Sequence, residues 1–259
     1  MLLEIESPTA GEITRLPHLH SLVVPVADPG DAVAFLARAS AQIGGGVLWS
    51  QPESGMAFAG AGVAESFTFR GNDRFAAASD AIRELRTRVV REDDELFPIL
   101  GGFAFDPTTG RDEAWHEFPG GRLVVPQVLL QVTPAGSHLR VTLPAMSGQA
   151  PAVTTSRLAS LLEQGLEWLS DPTRMCLPAH ARSTVTARDQ REWERQVAQA
   201  IAAIKSGAMT KVVLARAEHL HAETQISADA ALGCLREEHH GATLFAVAGK
   251  TTWFIGATP

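Results

Sequence analysis

The stretch from Arg122 to Ala145, RLVVPQVLLQVTPAGSHLRVTLPA, does most to limit what this chain can fold into. It is a succession of strand-like apolar runs interrupted by proline and by a Pro-Ala-Gly turn. Upstream, GGGVLWSQPESGMAFAGAGVAESFTF places short apolar pieces around Trp49, Phe58 and Val63 between Gly, Pro and Ser, the pattern of hairpin strands. FPILGGFAFDP is strand-like too, and the turn-rich TTGRDEAWHEFPGG joins it to the long run. The first half of the chain therefore reads as mainly β.

Helices are inserted between these runs. HSLVVPVADPGDAVAFLARASAQ predicts a strand, a turn at Pro29-Gly30 and a helix capped by Asp31. DRFAAASDAIRELRTRVV has helical spacing through Phe75, Ile82, Leu85 and Val89, and TSRLASLLEQGLEWLSDP predicts a further helix. In DQREWERQVAQAIAAIKSGA, Asp189 and Glu192 form a capping box. Trp193, Val197, Ile201 and Ile204 then share one face, and Gly207 is placed to end the helix. The small-residue, proline-rich segment 144–156 is the candidate flexible connection.

Composition excludes several classes. Hydrophobic residues at 45% and charged residues at 20% belong to an ordinary globular chain. A net charge of −7 with no basic stripe argues against nucleic-acid binding. Cys176 and Cys234 lie far apart, so no disulfide framework or zinc site is signalled. His219 and His221 share a strand face and His239-His240 follow, but no carboxylate or cysteine at ligand spacing completes a set. Gly44-Gly45-Gly46 lacks the lysine and hydroxyl of a phosphate loop and reads as a turn. Tryptophans 49, 115, 168, 193 and 253 read as core anchors. With no signal-peptide pattern and no apolar run near the ~20 residues of a membrane helix, the expectation is a soluble cytoplasmic protein.

Lysine is scarce: of 22 Lys+Arg, the lysines are Lys205, Lys211 and Lys250. Lys211 heads KVVLARA, which predicts a strand with Lys211, Val213 and Ala215 on one face and Val212, Leu214 and Arg216 on the other. With both faces partly apolar, the expected place is inside a sheet covered on both sides. Partial burial would lower an amine's pKa and make Lys211 a general base, a role arginine cannot fill. A strand-end lysine reaching solvent is the alternative, and Arg216 would pair with a carboxylate to hold the strand.

MTKVVLARA closely resembles the segment of isochorismate synthases and related chorismate-utilising enzymes in which a helix delivers a lysine-headed strand. LGGFAFDPTTGRDEAWHEFPGGRLVVPQVLL, VLWSQPESGMAFAGAGVA and the closing WFIGATP resemble the same family, in order, from about residue 20 to Pro259. The resemblance implies an α+β fold, a β-sandwich with peripheral helices, incomplete at its C-terminal side. Residues 1–259 would be the N-terminal part of a single chorismate-binding domain.

It also implies a chemistry. Lys211 would activate a water that attacks C2 of chorismate while the C4 hydroxyl leaves. A glutamate directly after Gly-Ala-Thr-Pro would protonate that hydroxyl, and magnesium held further on would anchor the substrate carboxylate. Gly256, Ala257 and Thr258 would shape the cleft wall. Glu218, Glu223, Glu237 and Glu238 stand at the wrong offsets for the acid. The expectation is thus the first half to two thirds of such an enzyme, inactive alone, with magnesium ligands beyond this chain and an open edge at TTWFIGATP. The intact enzyme would serve menaquinone or siderophore biosynthesis. A salicylate synthase-like enzyme and a non-catalytic ligand-binding module are the alternatives.

Overall fold

The computed structural model describes residues 18–90, 97–106, 115–145, 150–170, 183–186, 190–217, 219–222 and 226–258. The Arg122–Ala145 run forms β7 (Gly121–Val125), β8 (Val128–Thr133) and β9 (Gly136–Pro144). Ahead of it come β1 (Leu19–Val26), β2 (Val47–Gln51), β3 (Met56–Ala61), β4 (Glu65–Phe69), β5 (Val89–Val90) and β6 (Leu100–Phe103). Later strands are β10 (Ser183–Thr186), β11 (His219–Ala222), β12 (Thr243–Ala248) and β13 (Trp253–Thr258). The helices are α1 (Ala32–Ile43), α2 (Arg74–Arg88), α3 (Pro151–Ser170), α4 (Gln190–Lys205) and α5 (Ala228–Glu238). The α+β class expected from the sequence is what forms.

Eight strands make one sheet in the order β13-β12-β2-β3-β8-β9-β1-β5. Among the described residues only β1–β5 is parallel within it. A three-stranded sheet, β4-β7-β6, is continuous with it through a corner. The β3–β8 ladder runs to Ala61↔Val128 and the β4–β7 ladder resumes at Glu65↔Val125. Three residues, 62–64, thus oppose the two residues 126–127, and the extra residue bends the ladder as a bulge does. Ala64 N donates to Val125 O (2.9 Å) and Gln127 N to Ala61 O (3.1 Å), so the bend keeps its backbone groups paired. Gly62 sits there at φ 66°, and a Cβ on it would press into Gln127. Val63, expected within a hairpin strand, lies in this corner instead.

Alternation along the strands decides what each face buries. Leu48, Ala59, Leu130, Leu139, Val141, Leu244 and Ala246 point to one face and pack with Phe35, Leu36 and Ala39 of α1, Leu158 of α3 and Leu232 of α5. Each such fully buried Leu or Phe stabilises by about 1.5–3 kcal/mol. Asp31 caps α1, accepting from Val33 N (2.9 Å) and Ala34 N (3.4 Å), and the same carboxylate takes Arg236 Nη1 of α5 at 2.7 Å. Burial pushes the Asp31 carboxyl up, but the Arg236 hydrogen bond and charge and the two backbone N–H groups outweigh it and leave it below the usual aspartate value. Arg38 Nε donates to Trp168 O at 2.7 Å, tying α1 to α3. The opposite sheet face carries Ser21, Arg140 and Thr142, and Arg140 Nη1 donates to Ser21 Oγ at 3.1 Å.

Helix α2 packs on the smaller sheet. Leu85 and Ala78 are buried there, and Arg88 makes a two-pronged pair with Glu65 at 2.5 and 3.1 Å. Phe75, one of the helically spaced apolar residues, is 55% exposed although its ring lies 4.8 Å from that of Phe103, and Arg74 beside it is buried, its guanidinium donating to the carbonyls of Gly71, Ala104 and Phe105. The candidate connection 144–156 is helical from Pro151, a first-turn position suited to proline's fixed φ.

One expectation holds and the next fails. The helix predicted around Trp193 and Ile204 forms as α4 and ends at Gly207 (φ 77°), although Asp189 of its capping box lies outside the described residues. Its apolar face, however, is not packed: Ile201 is 47% and Ile204 40% exposed, and none of its residues is buried. The KVVLARA strand does not form. Residues 211–217 are irregular and exposed, with Val213 at 81%. A strand draws its backbone hydrogen bonds from neighbours, so an apolar alternating run becomes one only where another strand lies beside it. Among the described residues, none does.

Candidate active site

The segment that ends in Gly-Ala-Thr folds as β13, an edge strand of the large sheet. Strand β13 pairs with β12 through Trp253↔Ala248 to Thr258↔Thr243, and β12 pairs with β2, nearly two hundred residues upstream, through Phe245↔Trp49. On its other side β13 meets no strand among the described residues. Gly256 and Ala257 are half-buried and Thr258 is exposed.

Gly256 has a packing reason to be glycine. It lies opposite Phe245, and a Cβ there would collide with the Phe245 ring. Two residues earlier, Phe254, itself 39% exposed, contacts three aromatic rings: Phe245 at 5.2 Å, Trp115 at 5.1 Å and Phe118 at 6.1 Å between centroids. Edge-to-face and tilted contacts of this kind add about 0.5–1.5 kcal/mol per pair beyond burial. The Trp-His-Glu-Phe-Pro loop and the Trp-Phe-Ile-Gly-Ala-Thr strand, which the sequence could only place in the same family, are thus in contact.

Polar contacts reinforce the junction. Glu117 accepts hydrogen bonds from the backbone N–H of Thr251 (3.1 and 3.2 Å) and Thr252 (3.2 Å) and from their hydroxyls (2.9 and 2.7 Å). The Thr252 hydroxyl first, then the Thr251 N–H, bring its carboxyl down from 4.5 to about 2, against a smaller opposing effect of burial. Arg122 Nη1 donates to Ala248 O at 3.2 Å, and burial draws this guanidinium below the usual arginine value while leaving it charged. Neither Glu117 nor Arg122 was singled out by sequence reading. Nothing local signals a contact spanning more than a hundred residues.

Lys211 is placed elsewhere in kind. It makes no hydrogen bond or ion pair among the described residues, and the segment bearing it is solvated throughout. The dry, sheet-bound amine expected from the sequence is therefore absent in this arrangement, because the strand that would carry it has no neighbour. Arg216, expected to hold that strand through a carboxylate, has its guanidinium 5.8 Å from the Trp193 ring centroid of α4. His219 and His221 do fall on a strand, β11, which pairs with β10. Among the described residues no group of three or more His, Cys, Asp or Glu is placed to hold a metal ion. No described helix is long and apolar enough to cross a membrane.

Comparison with known proteins agrees with the motifs. Residues 9–259 match the family described as chorismate binding enzyme. The chain is 30% identical, over 82% of its length, to the salicylate biosynthesis isochorismate synthase of Pseudomonas aeruginosa and 26% identical, again over 82%, to isochorismate synthase MenF of Bacillus subtilis. These alignments span 44% and 46% of the two relatives, so the chain covers about half of their length. The structure of MenF, the menaquinone-specific isochorismate synthase of Escherichia coli, shares the fold with a TM-score of 0.61 at 23% identity, covering 96% of this chain and 52% of that one. The chain belongs to the chorismate binding enzyme family.

Proposed function

We propose that this chain contributes to an isochorismate synthase, which converts chorismate to isochorismate by attack of water at C2 and departure of the C4 hydroxyl. The observation carrying this reading is the match over residues 9–259, which includes both the Lys211 segment and the Gly256–Thr258 strand. The reaction must remove a proton from water on one side of the ring and deliver one to a leaving hydroxyl on the other. It therefore needs two groups with opposed proton affinities. Lys211 is the base in this proposal, once residues 211–217 are held against a neighbouring strand and the amine is partly dried. Gly256, Ala257 and Thr258 form part of the substrate wall. Magnesium, in the intact enzyme, would neutralise and orient the chorismate carboxylate; no step is assigned to it in this chain.

In the described arrangement the amine is solvated and no acid faces it, so this chain alone is expected to be slow or inactive. The product of the complete enzyme would enter menaquinone or siderophore synthesis. Two measurements test the proposal: chromatographic detection of isochorismate from chorismate with magnesium, and thermal melting with and without chorismate. Binding at 100 times Kd would stabilise by about 2.7 kcal/mol. A melt unmoved by millimolar chorismate, together with no product from a version carrying the rest of the family's length, overturns it.

The solvated position of Lys211 favours a second reading, a ligand-binding module without chemistry. It predicts a chorismate-dependent melt and no isochorismate from any version, whatever its length.

A further inference from the structure

The Glu117 junction joins a loop between β6 and β7 to the tip of the β12–β13 hairpin, 134 residues further along the chain. The tip, residues 249–252, closes with Gly249 N donating to Thr252 O at 2.7 Å. That turn aims two successive backbone N–H groups, of Thr251 and Thr252, in one direction, and the two threonine hydroxyls converge with them. Consecutive N–H groups arranged this way form an anion-binding concavity. Here the anion is supplied by the protein: the Glu117 side chain is only 7% exposed and fills it. Gly249 is part of the fit, since a Cβ on it would collide with Glu117 Oε2 and crowd the Thr252 hydroxyl. The titratable and charged neighbours are His116, whose Nε2 is 3.9 Å from Glu117 Oε1, Lys250 on the tip itself, and Arg122, bound to Ala248 O where the hairpin begins.

The loop that carries Glu117 also carries Trp115 and Phe118, which close over Phe254. Carboxylate and rings therefore grip the same strand at two points. They hold its start at Thr251-Thr252 and its outer face at Phe254, two residues before Gly256. Apart from its one ladder, this edge strand is held by Trp253, Ile255 and Ala257 against the main core, so the grip at its start and at Phe254 is a substantial part of what fixes its position.

We propose that Glu117 is a positioning residue that holds β13, and with it Gly256, Ala257 and Thr258, in place against the rest of the sheet. Its relevance to chorismate rests on the reading that those three residues form part of the substrate wall. The carboxylate has to be charged and of glutamate's length. An amide would turn one acceptor into a donor facing donors, and an aspartate would fall short by one methylene. Gly249 serves the same junction from the other side, by leaving room for the carboxylate.

The test is residue-resolved amide hydrogen exchange on the whole chain and its Glu117→Gln, Glu117→Asp, Glu117→Ala and Gly249→Ala variants. Loss of charge-assisted hydrogen bonds at one junction predicts exchange about tenfold faster or more at Thr251, Thr252 and residues 253–258 in the Gln, Ala and Gly249→Ala variants. Partial rescue is expected by Asp, and no change in β8 or β9. Unchanged exchange over 251–258, or equal acceleration across the whole sheet, overturns the proposal, the latter because Glu117 would then only add general stability. A parallel chorismate titration separates this inference from the functional one. Wild-type chain that does not bind chorismate defeats the substrate-wall reading and leaves the exchange comparison to decide Glu117. Wild-type chain that binds, with Glu117→Gln binding equally well, overturns the positioning role.

Discussion

The ring of Phe245 lies where a side chain on Gly256 would have to go, one strand across in the β12–β13 ladder. The glycine of the Gly-Ala-Thr strand is thus set by packing inside this chain. Gly256→Val should destabilise by about 1–3 kcal/mol, because a well-packed contact must shift to admit the new atoms. Urea unfolding followed by tryptophan fluorescence measures it, and a loss below half a kcal/mol would mean that the ring moves aside freely.

Glu65 is the partner of a guanidinium that is itself only 9% exposed. Removing one member of a buried pair leaves the other charge without compensation, so Glu65→Ala should cost about 3 kcal/mol, the low end of the usual range. Glu84, 3.6 Å from Arg88 Nε, accounts for the low end by supplying part of the lost charge. Calorimetry on Glu65→Ala and on Glu65→Ala/Arg88→Met separates the two effects. The double variant should recover part of the loss.

Acid should loosen the β12–β13 hairpin before the core. The Glu117 carboxyl is lowered from 4.5 to about 2, so its contribution to stability is fully present above pH 4.5 and is lost as pH falls toward 2. Glu117→Gln has no such titration. The gap in urea midpoint between wild type and Glu117→Gln should therefore be larger at pH 7 than at pH 2.5, and a constant gap would contradict the assignment of the charge.

Lys211→Ala should leave stability within about 0.5 kcal/mol of wild type, the usual result at a solvated position. In a version of the protein that forms isochorismate, the same substitution should abolish turnover while leaving chorismate binding measurable. A fully active Lys211→Ala enzyme would remove the base from the proposal.

Local physics made much of this chain readable. Asp31 caps α1 because a carboxylate at that position meets free N–H groups within its own turn. The hairpin strands around Trp49 and Phe58 follow from alternation and turn residues alone. Helix α4 and its stop at Gly207 were equally legible. The Lys211 run shows where such reading ends. Its alternation is that of a buried strand, and the same residues are solvated here, because alternation describes a fitness for burial and cannot provide the neighbour that buries.

Sequence alone determined the α+β class, the family and most element types, the Lys211 run excepted, since these depend on near neighbours along the chain and on motifs several residues long. Only the tertiary structure decided that β12 would lie beside β2, that Glu117 would sit in the hairpin tip of Thr251 and Thr252, and that Arg74 would be buried at the start of α2 while Phe75 stays largely exposed. Those outcomes depend on which surfaces meet across a hundred residues or more. The free energy of each contact is then set jointly by both partners' shape and charge, which no single stretch of sequence contains.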